Sequence, residues 1–383
     1  CATNNSVYRS YFELSRESCI RATNQINLII DSNYLNDVAT NPSFVLMLQT
    51  CHGESRIVNN KVYSTHGASC FGATGFKGNA TVYAIVANNM FVAESDLSTT
   101  VYTPVNIMNT EKMKYVYNSS KVNVPNYSNI SAATIGGSGA SDIYVLNNIF
   151  VSENPNNYAF NFIPSTTNYV LDHNLYYSPG TVLNRYASSQ ASSLSAWKNI
   201  VRTEPGFNRD TNSLFASIIF LNTTPVDLRS VTLAIQNAGT PVDGITTDMF
   251  GTARGTTPCI GAYESMPLIN NIALEEVLSP FTSCSLGQTE KIKVVLKNHG
   301  YATIPANSAT FYYRHNNGTI VNQVINREIL PSDTIHFTAT NTINLSVTNI
   351  REDRNHEFKI WVALSTDDDK SNDTILHSIS SLY

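Results

Sequence analysis

One short stretch, CHGESRIVNNK from Cys51 with a further turn behind it, brings together His52, Glu54, Arg56, Lys61 and His66. These are the side chains that proton abstraction from an acidic sugar requires: a cation to neutralise the substrate carboxylate and a Lys, Arg or His base to take the α-proton. A solvated charged turn would use the same residues without any chemistry. Four tyrosines, Tyr83, Tyr115, Tyr144 and Tyr169, recur 25 to 32 residues apart. Facing solvent, they would form a flat aromatic strip suited to sugar rings; facing inward, they would be core packing. A third constellation, Asp367, Asp368, Asp369 and Asp373 beside Asn372, concentrates oxygen ligands of the kind Ca²⁺ prefers. It lacks the glycine and terminal Glu of an EF-hand loop, and a solvated hairpin tip would look the same.

The elements that must position these groups are visible as a repeat. Apolar strands run into a polar pair and back into an apolar strand in IIDSNYL, IVNNKVY, IVANNMF, YVLNNIF and YVLDHNLY, which places Asn33, Asn60, Asn89, Asn148 and Asn174 in one slot. YVYNSSKV is a sixth copy and is expected to put Ser120 there. Successive slots lie 26 to 31 residues apart, the length of one turn of a coil of strands. A unit of that size cannot bury its apolar face alone, so it stacks on the next, with strands about 4.8 Å apart. Asn suits the turn because it tolerates a left-handed backbone, and stacked amides can bond to one another up the coil. A second register, Ile20, Val45, Phe71, Val105, Ile135 and Phe160, predicts at least two strands per coil. No second acidic cluster lies one coil from Glu54, as a Ca²⁺ site of stacked carboxylates would need.

Composition narrows the setting. The 383 residues are 42% hydrophobic but only 14% charged, the profile of a β-rich surface protein, and leave room for more than one domain. A net charge of -5 offers no basic stripe, which argues against nucleic acid or an anionic membrane as a partner. No apolar run reaches the roughly 20 residues of a membrane span, so no transmembrane segment is expected. The six cysteines match no zinc spacing, and Cys19 and Cys70 fall on or beside inward strands, where a thiol acts as a small hydrophobe. Cys1 is what a processed bacterial lipoprotein would present. The strand pattern begins almost at once, however, and the expectation is a chain that starts inside a longer protein.

The repeat is expected to end near residue 180, followed by a short helix in SSLSAWKNI and by EPGF from Glu204. Residues 237 to 264 then read NAGTPVDGITTDMFGTARGTTPCIGAYE. This segment resembles the closing motif of secreted right-handed parallel β-helix proteins of the pectate-lyase-like superfamily, abundant in Bacteroidetes, in which D-x-x-G-x-x-R leads to I-G-A-x-E. The matching residues are Asp248, Gly251, Arg254, Ile260, Gly261, Ala262, Tyr263 and Glu264; Cys259 stands where such motifs commonly carry Asp. AWKN and EPGF match the same ending, so the resemblance covers about residues 18 to 264. It implies the fold but not one activity, because the superfamily hosts lyases, hydrolases, adhesins and binding proteins. Asp248, Arg254 and Glu264 are read as structural, an Arg satisfied by nearby carboxylates.

From residue 267 the pattern changes to alternating strands separated by turn signals, which predicts a β-sandwich. VVLKNHGYATIPA, LPSDTIHF and STDDDKSND resemble immunoglobulin-like modules of bacterial surface proteins, related to the cell-adhesion type. Two DTI triplets, at Asp333 and Asp373, resemble acceptor sites for O-linked glycans. The expectation is an all-β chain with a right-handed parallel β-helix over residues 1–264, closed by about 180–264, and an immunoglobulin-like sandwich over 267–383. Its expected role is a secreted or cell-surface adhesin or carbohydrate-binding solenoid, whose partner is a polysaccharide, glycan or another surface protein and whose possible cofactor is Ca²⁺. The alternative is a polysaccharide lyase or glycoside hydrolase.

Overall fold

The computed structural model describes residues 2–13, 18–37, 44–95, 103–166, 168–202, 209–222, 226–230, 232–264, 269–300, 302–347 and 353–382. Cys1 and the EPGF segment lie outside these residues. The chain divides into two compact units, Cys1–Met266 and Pro267–Tyr383.

The first unit is a parallel β-helix. Each coil contributes three strands, as in Arg56–Val58, Lys61–Ser64 and Ser69–Thr74, which stack into sheets of seven, eight and eight strands, parallel throughout except for Ser189–Ala191, which runs antiparallel at the end of the third. We call these sheets one, two and three, in chain order within a coil. Inward rows interlock across them. Val7, Ile30, Ile57, Val86, Tyr115, Val145 and Leu171 form such a row on sheet one. Phe91, Ser120, Phe150 and Tyr176 form one on sheet two. Within the core, Tyr115 and Tyr176 stack on Phe150 at 6.1 and 5.8 Å.

The corner between sheets one and two divides the two duties expected of a single Asn. The first residue of each pair takes the left-handed backbone: Ser32, Asn59, Asn88, Tyr117, Asn147 and His173, with φ between 53° and 60°. The second supplies the ladder. Each side-chain amide donates to the carbonyl oxygen of the next coil's Asn, from Asn33 to Asn60, Asn89, Asn118, Asn148 and Asn174, at 2.9 to 3.2 Å. Each backbone N–H donates to the same oxygen. The series starts at the Ser10 N–H and ends on Ser213 Oγ.

Ser120 is therefore not the sixth member; Asn118 is. Asn89 and Asn118 hold matching places because Met90 pairs with Ser119. Ser120 points into the core and hydrogen-bonds Tyr115 Oη at 3.1 Å. The physical reason is the number of groups to be satisfied: the Asn118 amide donates both to Asn148 Oδ1 and to the Val86 and Val116 carbonyls, and a hydroxyl has one proton to give. The second register also shifts. Ile20 pairs with Leu46 rather than Val45, and Val105 pairs with Ala133 rather than Ile135.

The coils continue beyond residue 180, through Asn184–Tyr186 on sheet three and Leu214–Phe215 on sheet two. Helix α1, Leu194–Val201, caps this end, with Ser193 Oγ accepting from the Ala196 N–H. Trp197 is fully buried against Phe160, Tyr176 and Tyr186, and its Nε1 donates to the buried Asp210 at 2.6 Å. The described residues from 216 to 264 then return along the outside. They cover sheet one through Val242 and Ile245, which pack on Val58, Ala87 and Val116, and sheet two through Val226, Leu228 and Ala262.

The second unit is a β-sandwich of two antiparallel sheets. Ile272–Ser279, Lys293–Asn298 and Thr334–Thr338 form one; Ile320–Val324, Ala309–His315, Arg354–Leu364 and Thr374–Ser381 form the other. Its core includes Leu296, Phe311, Tyr313, Phe358, Ile360 and Val362. Among the described residues no helix is long and apolar enough to cross a membrane.

Candidate functional site

The five residues considered for proton abstraction do not converge. His52 lies at the corner entering sheet one, where its main chain bridges Ile26 and Lys77. Glu54 and Arg56 follow, Arg56 on the outward row of sheet one with Ser6, Ile29, Ile85, Lys114, Tyr144 and Val170. Lys61 points outward from sheet two, 5.3 Å from the Phe250 ring; burial lowers its pKa, opposed by the nearby Asp227. His66 sits at the next corner, its Nδ1 2.7 Å from Thr65 Oγ1. Arg56 and Lys61 lie on two different walls and His52 and His66 at two different corners, because strand corners turn neighbouring residues onto different sheets.

Glu54 and Arg56 do share a groove. A cleft of about 350 Å³ lies between the first coils of sheet one and the return segment, lined by Tyr8, Asp31, Arg56, Asn59, Asn88 and Thr247. A second, of about 460 Å³, continues from it past Asn4, Asn27 and Glu54, with Tyr8, Ile29 and Arg56 common to both. Asp31 is fixed by the Ser32 hydroxyl at 2.8 Å and the Asn59 amide at 2.9 Å. Asn59 Oδ1 is buried without a hydrogen-bond partner among the described residues. Among the described residues Arg56 forms no ion pair, and Tyr8 leaves 48% of its surface to solvent. The groove thus offers a flat ring, a cation, a carboxylate and amides, all on one strip of wall.

The four tyrosines split in pairs. Tyr115 is fully buried and Tyr169 nearly so, its hydroxyl 2.6 Å from that of Tyr186. Tyr83 and Tyr144 lie on the outer side, edge to face at 5.4 Å, and the Tyr83 hydroxyl donates to Asp142 at 2.8 Å. They occupy different rows, since Tyr144 aligns with Lys114 while Tyr115 aligns with Val145. No single aromatic ladder results.

The acidic turn of the sandwich spends its carboxylates on the backbone. Asp367 accepts from the Ile272 and Asp369 N–H groups, Asp368 from Asn270, and Asp369 from Ser371. Asp373 is buried, and desolvation together with Asp367 and Asp369 pushes its pKa up to about 7. Among the described residues no group of three or more His, Cys, Asp or Glu side chains is placed to hold a metal ion.

Asp248, Arg254 and Glu264 bind the return segment to the coil corners. Arg254 pairs with Glu264, donates to Asn88 Oδ1 at 2.8 Å and to the Gly261 carbonyl at 3.0 Å, and lies 3.8 Å above the Tyr117 ring. Asp248 accepts from the Phe250, Thr252 and Glu264 N–H groups. The residues that receive Arg254, Asn88 and Tyr117, and Asn147, which is bonded to Thr240, escaped the sequence reading, although the first member of each Asn pair was in view. Lys121 was also missed. It is almost buried on sheet two between Glu94 at 3.3 Å and Glu153 at 2.9 Å, and so joins three successive coils.

No protein-family model matches the sequence, and no curated protein is similar to it. Among solved structures, the enzymatically active domain of tailspike protein 2 from bacteriophage CBA120 aligns over 98% of this chain and 68% of its own, at 10% identity and a TM-score of 0.26. That likeness is too distant to carry an activity across.

Proposed function

We propose that this protein is a non-catalytic, carbohydrate-binding solenoid of the cell surface or extracellular space, with an immunoglobulin-like sandwich as its accompanying module. The supporting observation is the groove of Tyr8, Asp31, Arg56 and Asn59. Its open aromatic ring suits the apolar face of a sugar, and its carboxylate, guanidinium and amide suit hydroxyls on the ring edge. An extended glycan is the ligand such a strip accommodates, since the two clefts run on from each other along the strand direction across the first coils. The scattering of His52, Lys61 and His66 favours binding over lyase chemistry, which needs base and cation on one substrate.

The test is a panel of polysaccharides titrated with the full chain, alongside assays for unsaturated product from pectin, alginate and glycosaminoglycans. Arg56→Ala and Tyr8→Ala should each weaken binding about tenfold, equivalent to about 1.4 kcal/mol. Release of product that disappears in Arg56→Ala or Lys61→Ala would replace binding with polysaccharide cleavage as the function.

A further inference from the structure

The outer face of the sandwich's four-stranded sheet carries an arrangement that packing alone does not explain. Along Ala309–His315 and Arg354–Leu364 the core takes Phe311, Tyr313, Phe358, Ile360 and Val362, so strand alternation turns Tyr312, Arg314, Lys359 and Trp361 outward. Tyr312 and Trp361 are direct cross-strand partners, with rings 5.2 Å apart and 3° from parallel. The next outward pair is Arg314 opposite Lys359. Two like charges directly opposite are destabilising in a sheet. Neither forms an ion pair among the described residues, although Glu357 lies on the same face. Lys359 Nζ instead leans over the Trp361 ring at 5.4 Å.

Clefts flank the pair on both sides. One of about 530 Å³ runs past Tyr312, Trp361, Thr310, Thr374 and Lys370; another, of about 280 Å³, is lined by Arg314, Lys359, Glu357 and Leu376. Leu376, the cross-strand partner of Lys359, is 77% exposed. Aromatic rings beside cations that form no ion pair among the described residues, with Glu357 and Asp373 the carboxylates lining the two clefts, favour an anion carrying a stackable ring.

We infer that this sheet face is a binding site for an acidic polysaccharide, with Trp361 and Tyr312 contacting the sugar ring and Arg314 and Lys359 taking its carboxylate. An acidic glycan meets both features at once, whereas a neutral one would leave the two cations facing each other. The site is independent of the solenoid groove, so either can fail without the other.

Polygalacturonate and dextran are titrated at low salt into the full chain carrying Tyr8→Ala and Arg56→Ala, which silences the solenoid groove. Polygalacturonate should bind and dextran should not, and added salt should weaken the complex. Trp361→Ala, or Arg314→Gln with Lys359→Gln, should each reduce affinity about tenfold or more. Lys359→Glu should abolish binding while raising the melting temperature of the free protein, because it turns a like-charge pair into an attractive one. No binding of polygalacturonate, equal binding of dextran, or undiminished binding in the Trp361 and Lys359 variants would overturn the assignment. So would a dimer in sedimentation velocity that Trp361→Ala dissociates, since the face would then belong to a second copy of the chain.

Discussion

The β-helix and the sandwich use strands in opposite ways. In the β-helix, strands such as Ala84–Ala87 and Ser131–Gly136 are buried at every position. On sheets one and two the return segment adds a second layer of apolar contacts outside the wall. In the sandwich, Arg354–Leu364 alternates between buried and open residues along almost its whole length. A parallel wall packed on both sides has little outward surface left for chemistry, whereas a half-buried antiparallel sheet exposes every second side chain. On sheet one the groove around Arg56 lies where that cover stops.

The largest effect should come from placing a charge at matched outward positions. Val116 lies outside the core row yet is fully buried beneath Val242 and Ile245. Val116→Lys should cost roughly 4 kcal/mol or more in urea unfolding, while Leu376→Lys on the sandwich should change stability by less than about 0.5 kcal/mol. Equal costs would remove the distinction between a covered and an open wall.

Next in size is the ladder. Asn118→Ala takes the acceptor from the buried Asn89 backbone N–H and side-chain amide and one of two donors from Asn148 Oδ1, and should cost roughly 2–4 kcal/mol, whereas Ser120→Ala, losing one bond to Tyr115, should cost about 1 kcal/mol. Denaturant melts of the two variants measure which residue occupies the slot.

The smallest effect is a pH dependence in the sandwich. Asp373 has a folded pKa raised from 3.8 to about 7 by burial and by Asp367 and Asp369, with Lys370 opposing. The folded state therefore holds a proton that the unfolded state has lost between those values. This contribution to stability is greatest at low pH and falls as pH rises from about 4 to about 7. Asp373→Asn should flatten that part of the melting profile; an unchanged slope would exclude Asp373 as its source.

The same difference between the units explains what the sequence made readable. The parallel coil was legible because its corner repeats once per coil, and the sandwich because its strands alternate. Ser120 was misplaced because YVYNSSKV offers Asn118 and two serines within three positions, and only the pairing of Met90 with Ser119 selects among them. The tyrosines could not be sorted, since apolar residues occupy both sides of sheet one. The candidate site was legible only as Glu54 and Arg56. Tyr8, Asp31 and Thr247 join it through stacking and through the return of the chain from about 190 residues further on, which local spacing does not encode.

That return path fixes the number of coils between Asn88 and Asn147. A coil of repeats could otherwise grow by duplicating one unit, each new turn resting on the last. Here Thr240 is tied to Asn147 and Tyr117, and Arg254 to Asn88, so one continuous segment is fastened at several heights. An extra turn between Asn88 and Asn147 would move those anchor points apart by about 4.8 Å and strand the fastenings. The segment acts as a ruler, and lineages that gain or lose a turn must rewrite it in the same step.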